Sequence, residues 1–195
     1  MNRQLSFSQY RSIDLTILMV VQAISQVVIH FAATVLYADQ LYVVSPVAAM
    51  AALVMMRWSG WAAIHAALGG VLYALIAGGS WQHVLIYGAG NLLALGALLM
   101  FKYPGKERIR GDALLTIAFA LCTQLLMQLG RSGIAALLGY PAGVCIGFIT
   151  TDLLSALFCV VIVWSIRRIE GLFEDQKQYL LRIQREHKVE RGEQF

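Results

Sequence analysis

Between Asp14 and Lys102 the chain carries only two formally charged side chains, Asp39 and Arg57. So long a stretch cannot present a water-facing surface with so few ionised groups, since soluble domains hold about 25% charged residues. The whole 195-residue chain has 13%, against 59% hydrophobic residues. This is the sequence of an integral membrane protein. At roughly 20 apolar residues per crossing, the length accommodates six helices, short loops and a tail, which excludes a separate catalytic domain.

The expected fold is all-α and polytopic. It has an N-terminal segment 1–12, a six-helix transmembrane bundle 13–166 and an amphipathic tail helix within 167–195. The apolar runs are 13–36, 43–56, 62–77, 82–101, 113–129 and 144–164. The 37–42 connection holds Asp39 with Tyr37 and Tyr42, of the kind enriched at membrane interfaces. Pro46 interrupts the second run, Arg57-Trp58-Ser59-Gly60-Trp61 forms a basic and aromatic turn, and Pro104 and Gly105 break the 102–110 loop. The glycine-rich stretch 130–143 reads as a re-entrant or lid-like loop with Arg131 at its outer rim.

Assigning alternate loops to opposite sides puts Arg3, Arg11, Arg57, Lys102, Lys106, Arg108, Arg110 and the tail cations from Arg167 to Arg191 on one side, leaving Arg131 on the other. The positive-inside tendency then places both termini in the cytoplasm of a plasma-membrane protein. The net charge of +4 is a topology signal and not a nucleic-acid footprint, because the cations cluster between apolar runs. Cys122, Cys145 and Cys159 stand singly in apolar segments and lack disulfide or zinc spacing, so no metal or cofactor is expected. Past the sixth run, Ile166, Ile169, Phe173, Leu180 and Ile183 recur at helical spacing among charged residues. That pattern fits an amphipathic cytoplasmic helix, lying on lipid headgroups or docking a partner.

Polar side chains are costly in hydrocarbon and so face protein or a cavity. Gln22, Gln26 and His30 repeat at i, i+4, i+8 in the first run; His83, Tyr87 and Asn91 do so in the fourth, and Gln124 and Gln128 in the fifth. Each set lies along one helix face. With odd runs rising outward and even runs descending, all three stripes fall in the outer half, joined by Thr150, Thr151 and Asp152 near mid-membrane. An outward-opening polar pocket under Trp81 is expected, with Gln26, His30, Trp81, His83, Tyr87, Asn91, Gln124, Gln128 and Asp152 as substrate-binding candidates. Hydrogen bonding from helix to helix is the alternative for any one of them, and it is preferred for His65. The inner halves of the later runs lack a full-thickness chain of ionisable groups, so no ion path is expected. No phosphate loop, HExxH, GxSxG or paired-carboxylate motif occurs, so no catalytic residue is assigned. Ala62, Ala63, Ala66 and Ala67 give the third run a flat face for internal packing or for a partner helix.

Six short spans, the run from Arg57 through Trp61-Ala-Ala-Ile-His65 to Gly70, and Tyr87-Gly-Ala-Gly-Asn91 resemble the substrate-binding S components of energy-coupling factor transporters over residues 10–168. The resemblance implies a membrane-embedded, high-affinity receptor for a vitamin or related micronutrient, bound from outside. It further implies a transmembrane coupling subunit and cytoplasmic ATPases as partners, and a toppling motion for release. Members typically carry Ala-x-x-x-Ala in the first span; residues 13–22 lack it, so either the alanines of the third run substitute or the mode of coupling differs. Two other readings stand beside this one. The first is a non-transporting scaffold like the small six-span cell-shape proteins, and the second an intramembrane enzyme needing His30, His83 and Asp152 within reach of one another.

Overall fold

In the computed structural model the described residues are 6–36 and 44–190. Asp39, Tyr37 and Tyr42, and the terminal cations Arg3 and Arg191, lie outside them. Among the described residues every regular element is helical: α1 (Phe7–Phe31, continued by one wider π turn, Ala32–Leu36), α2 (Val47–Trp58), α3 (Ala62–Ile76), α4 (Trp81–Gly90, continued as a 3₁₀ helix over Asn91–Phe101), α5 (Lys106–Gly111), α6 (Ala113–Leu137), α7 (Ala142–Thr150), α8 (Leu153–Ile166) and α9 (Gln176–Glu190). Five helical stretches are long and apolar enough to cross a membrane: Phe7–Val35, Val47–Ile76, Trp81–Phe101, Ala113–Leu137 and Ala142–Ile166.

The second of these turns back on itself. Ser59 takes φ 53°, which reverses the chain between α2 and α3. Arg57 and Trp58, at the end of α2, bind Asp14 at the start of α1. From there α3 rises beside α1, as Gln22 and Gln26 donate to the carbonyls of His65 and Gly69 at 3.1 and 3.2 Å. A Cβ on Gly69 would lie 3.2 Å from Val47 Cγ1, so the first turn of α2 sits level with Gln22. That is about 12 Å above Asp14 at 1.5 Å per residue.

All twelve residues of α2 are buried. A helix apolar on every side belongs at the centre of a bundle, and α2 is ringed by α1, α3, α6, α8 and the 3₁₀ segment. It fills only one half of the length. From Gln22 to Phe31, α1 continues for about 14 Å beyond that level.

The end of the bundle that carries Asp14 and Arg57, here called the base, is closed by the tail. Arg57 makes a two-pronged ion pair with Asp14 (2.6 and 2.9 Å) and also donates to the carbonyls of Gly171 and Leu172. Lys106 bridges Asp175 (2.7 Å) and Ser59 (2.9 Å), and Arg110 pairs with Glu174 at 2.7 Å. Tyr10 donates to Gln176, which joins the start of α1 to the start of α9. Phe173, Glu174 and Gln176 are buried. The tail therefore enters the fold through a locked connector before α9 begins.

Two expected boundaries move. The glycine-rich 130–143 stretch is helical through Leu137, so Arg131 lies on α6 and not in a loop. Gly130 is there for close approach: a Cβ at this position would run into the Gly90 carbonyl and lie 2.8 Å from Leu93 Cβ. In the last span, the helix breaks between α7 and α8. The hydroxyls of Thr150 and Thr151 bond back to Ile146 and Gly147 at 3.2 and 2.7 Å, a local competition that bends helices. Asp152 stands at the break.

Candidate functional site

Four side chains form one chain of polar contacts: Asn91 at the end of α4, Gln124 and Arg131 on α6, and Asp152 at the break between α7 and α8. Asn91, where α4 passes into its 3₁₀ continuation, donates through Nδ2 to the Ala66 carbonyl of α3 at 3.0 Å. Its Oδ1 accepts from Arg131 Nε at 2.7 Å. Arg131 Nη1 reaches Asp152 Oδ2 at 3.4 Å, and Gln124 Nε2 donates to the same oxygen at 3.0 Å. The relative exposures of Asn91, Gln124 and Arg131 are 0, 2 and 4%. Asp152 is half-buried at 22% exposure, so the pair joins an enclosed guanidinium to a partly open carboxylate.

Glycine allows the assembly. A Cβ on Gly70 would meet the Tyr87 carbonyl and the Asn91 amide, and a Cβ on Gly90 would come within 2.7 Å of Arg131 Cα. Small residues at these crossings let α3, α4 and α6 approach backbone to backbone. On the far side of the network, Tyr73 and Tyr87 pack at 4.9 Å between ring centroids, and Tyr87 meets Phe148 edge-on at 6.0 Å. The Arg131 guanidinium lies 4.7 Å from the Tyr87 ring, within cation–π range. Gln128, one turn along α6 from Gln124, is 2% exposed, and its Nε2 has no hydrogen-bond partner among the described residues. A buried donor in that condition carries a desolvation cost of about 1 to 3 kcal/mol.

Of the nine substrate-binding candidates, Tyr87, Asn91, Gln124 and Asp152 are brought together, with Gln128 beside them. The others are placed differently. Gln26 binds the Gly69 carbonyl and serves helix packing, although its Oε1 has no partner among the described residues. His30 lies half-buried on α1 and does not join the network. His83 is exposed and faces Ser80 at 3.0 Å, capping α4. Trp81 is 66% exposed at the start of α4 and does not cover the network. Of the alanine face, Ala62 and Ala66 are buried in the chain's own core; Ala63 and Ala67 are half-buried. The His65 ring is likewise buried.

Sequence reasoning put Arg131 at the rim of a loop, to attract a ligand's carboxylate or phosphate, and missed Tyr73 and Phe148. Arg131 was hidden by the glycines around it, yet Gln124, Gln128 and Arg131 step i, i+4, i+7 along one helix face, and that spacing was the available signal. Tyr73 and Phe148 sit among apolar neighbours, and nothing in their spacing marks them. The expected outward basin is, among these residues, a buried network. Open grooves occur at the base: one of about 490 Å³ lies between Phe7 and Tyr10 of α1 and Lys177, Leu180, Leu181 and Gln184 of α9. The described residues contain no group of three or more His, Cys, Asp or Glu placed to hold a metal ion. No family model matches the chain, and neither a curated protein nor a solved structure does.

Proposed function

We propose that this chain is the membrane-embedded substrate-capture subunit of an energy-coupling factor transporter. In this reading it crosses the plasma membrane six times, α2 and α3 counting separately, with both termini in the cytoplasm. A transmembrane coupling subunit and cytoplasmic ATPases import the vitamin or related micronutrient that it holds. It is not itself an enzyme. One observation carries the reading: an Arg131–Asp152 pair whose guanidinium is buried against the Tyr87 ring, with a buried Gln128 amide that has no partner among the described residues on the same helix, at the level where the central helix α2 ends. Gln22 and Gln26, which tie α1 to α3, spend their amide donors and leave only an oxygen over, whereas Gln128 leaves a buried donor over among the described residues.

The test is thermal unfolding of the purified full chain against a panel of vitamins. A ligand present at a hundred times its Kd stabilises by about 2.7 kcal/mol, or roughly 5 to 10 °C for a chain of this size. Asn91→Ala should weaken that shift, and a panel with no shift would remove the reading's support.

A non-transporting scaffold of the cell-shape type is the second reading, and the docked tail favours it. In that case the exposed part of α9 recruits a partner and Asn91→Ala leaves function intact. The truncation that tests it must begin beyond Gln176, because removing the 171–176 connector would take Phe173 and the basal ion pairs with it.

A further inference from the structure

At the base, away from the central network, lies an open groove of about 430 Å³ lined by Arg110 and Gly111 at the end of α5, Arg167 and Arg168 just past α8, and Glu107. Arg110 is paired with Glu174 at 2.7 Å. Arg167 is 7% exposed, and its Nη1 donates to the carbonyls of Arg110 and Gly111, both at 3.3 Å, which ties the guanidinium to the wall. Its Nε is buried and has no partner among the described residues. Arg168 is exposed, and neither it nor Glu107 forms an ion pair among those residues. With Arg110 set against Glu174, the lining keeps Arg167 and Arg168 against Glu107, a formal surplus of one positive charge. Guanidinium groups with donors to spare are suited to the oxygens of a phosphate.

The level of the groove says where such a phosphate comes from. The apolar span Ala142–Ile166 ends immediately before Arg167, and the span Ala113–Leu137 begins two residues after Gly111. The two spans pack together, Cys159 Sγ meeting the Ala120 carbonyl at 3.7 Å. Leu153, Leu157, Val161 and Trp164 recur along one face of α8, all exposed, and Leu114 is exposed in the first turn of α6. The Arg167 guanidinium lies 5.8 Å from the Trp164 ring, so the apolar stripe runs up to the arginines. Tryptophan at the end of such a stripe belongs to the headgroup level of a bilayer. A free phosphate would use the charges and ignore the stripe; a phospholipid uses both.

We propose that this groove holds the phosphate of an anionic phospholipid whose acyl chains lie along the exposed face of α8. Binding there requires only that the chain crosses a membrane, whichever function the central network serves.

Phosphatidylglycerol and phosphatidylcholine with identical acyl chains, offered in equal amounts to the detergent-solubilised full chain, are counted by native mass spectrometry. The expected result is one retained phosphatidylglycerol per chain, favoured about fivefold or more over phosphatidylcholine. One arginine near a lipid surface is worth about fivefold in binding, so Arg168→Gln should lower that preference by about the same factor. Arg168 is exposed, and its replacement spares the buried contacts of Arg167. Arg185→Gln, an equal loss of charge at an exposed position on α9, should leave the preference unchanged. Millimolar inorganic phosphate, with ionic strength held constant by chloride, should not displace the lipid. Equal retention of the two lipids, or an equal loss from Arg168→Gln and Arg185→Gln, would overturn the site. Displacement by inorganic phosphate would overturn the lipid and assign the groove to a free phosphate.

Discussion

The base of the bundle and its middle are both rich in polar groups, but they are satisfied to different degrees. At the base, Arg57 donates to Asp14 and to two tail carbonyls, Lys106 and Arg110 each hold a tail carboxylate, and Gln176 bonds to Tyr10 and to two carbonyls. In the middle, the Gln128 amide, one guanidinium nitrogen of Arg131 and one oxygen of Asp152 are unused among the described residues. The contrast is one of degree, since among the described residues the Arg167 Nε, the His65 ring and the Gln22 and Gln26 Oε1 atoms are also without partners. It still separates two jobs. A saturated cluster fixes helices and tail in one arrangement, whereas an unsaturated one keeps hydrogen-bonding capacity for something that comes and goes.

Substitutions in the two regions should therefore part company, and the largest effect belongs to the base. Arg57→Ala leaves Asp14 with the Trp58 indole N–H alone and strips the Leu172 carbonyl of its donor, and should cost about 3 kcal/mol in unfolding free energy. Ligand affinity of the protein that still folds should be unchanged. Lysine should not rescue it, because a point charge cannot reproduce the two-pronged pairing. Next comes Gly130→Ala, which forces a Cβ against the Gly90 carbonyl and should destabilise by about 3 kcal/mol. Here stability and affinity should fall together, since the same crossing sets Asn91 and Arg131 side by side. Denaturation curves beside ligand titrations separate the two cases.

The third substitution reverses the sign. Gln128→Leu removes a buried, unpartnered donor and should raise stability by about 1 to 2 kcal/mol while weakening ligand binding. A loss of stability would mean that the amide is satisfied by a group outside the described residues. Smallest is Arg182→Ala, at a side chain 42% exposed that pairs with Glu170 and Glu174. An exposed pair of this kind is worth less than about 1 kcal/mol, and the melting temperature should move by no more than a few degrees.

The membrane character, the helical class and most helix limits were legible in the sequence, because hydrocarbon allows few ways of satisfying a backbone and apolar runs of the required length declare themselves. Of the polar stripes at four-residue spacing, those of the fourth and fifth runs bring Asn91 and Gln124 into one cluster, and that of the first run ties α1 to α3. Which of them meet was not legible. Gln26 and Asn91 carry the same amide group, yet one is spent on a helix carbonyl and the other orients a guanidinium. The difference lies in which glycine lets which neighbour approach. Gly130 itself misled for the same reason: a residue that reads as a loop signal in isolation is, against Gly90, what lets two helices cross. The tail was read as an amphipathic helix, and α9 is a helix, but the connector that locks it depends on long-range ion pairs that no local pattern encodes.

The most direct test of the account is native mass spectrometry of the full chain extracted from its own membranes. If the middle of the bundle is a holding site, the chain should carry one small molecule of a few hundred daltons at one-to-one stoichiometry, and Asn91→Ala should release it while Arg182→Ala retains it. A bare chain in every preparation, or an adduct indifferent to Asn91, would contradict the claim that the unsatisfied cluster exists to bind.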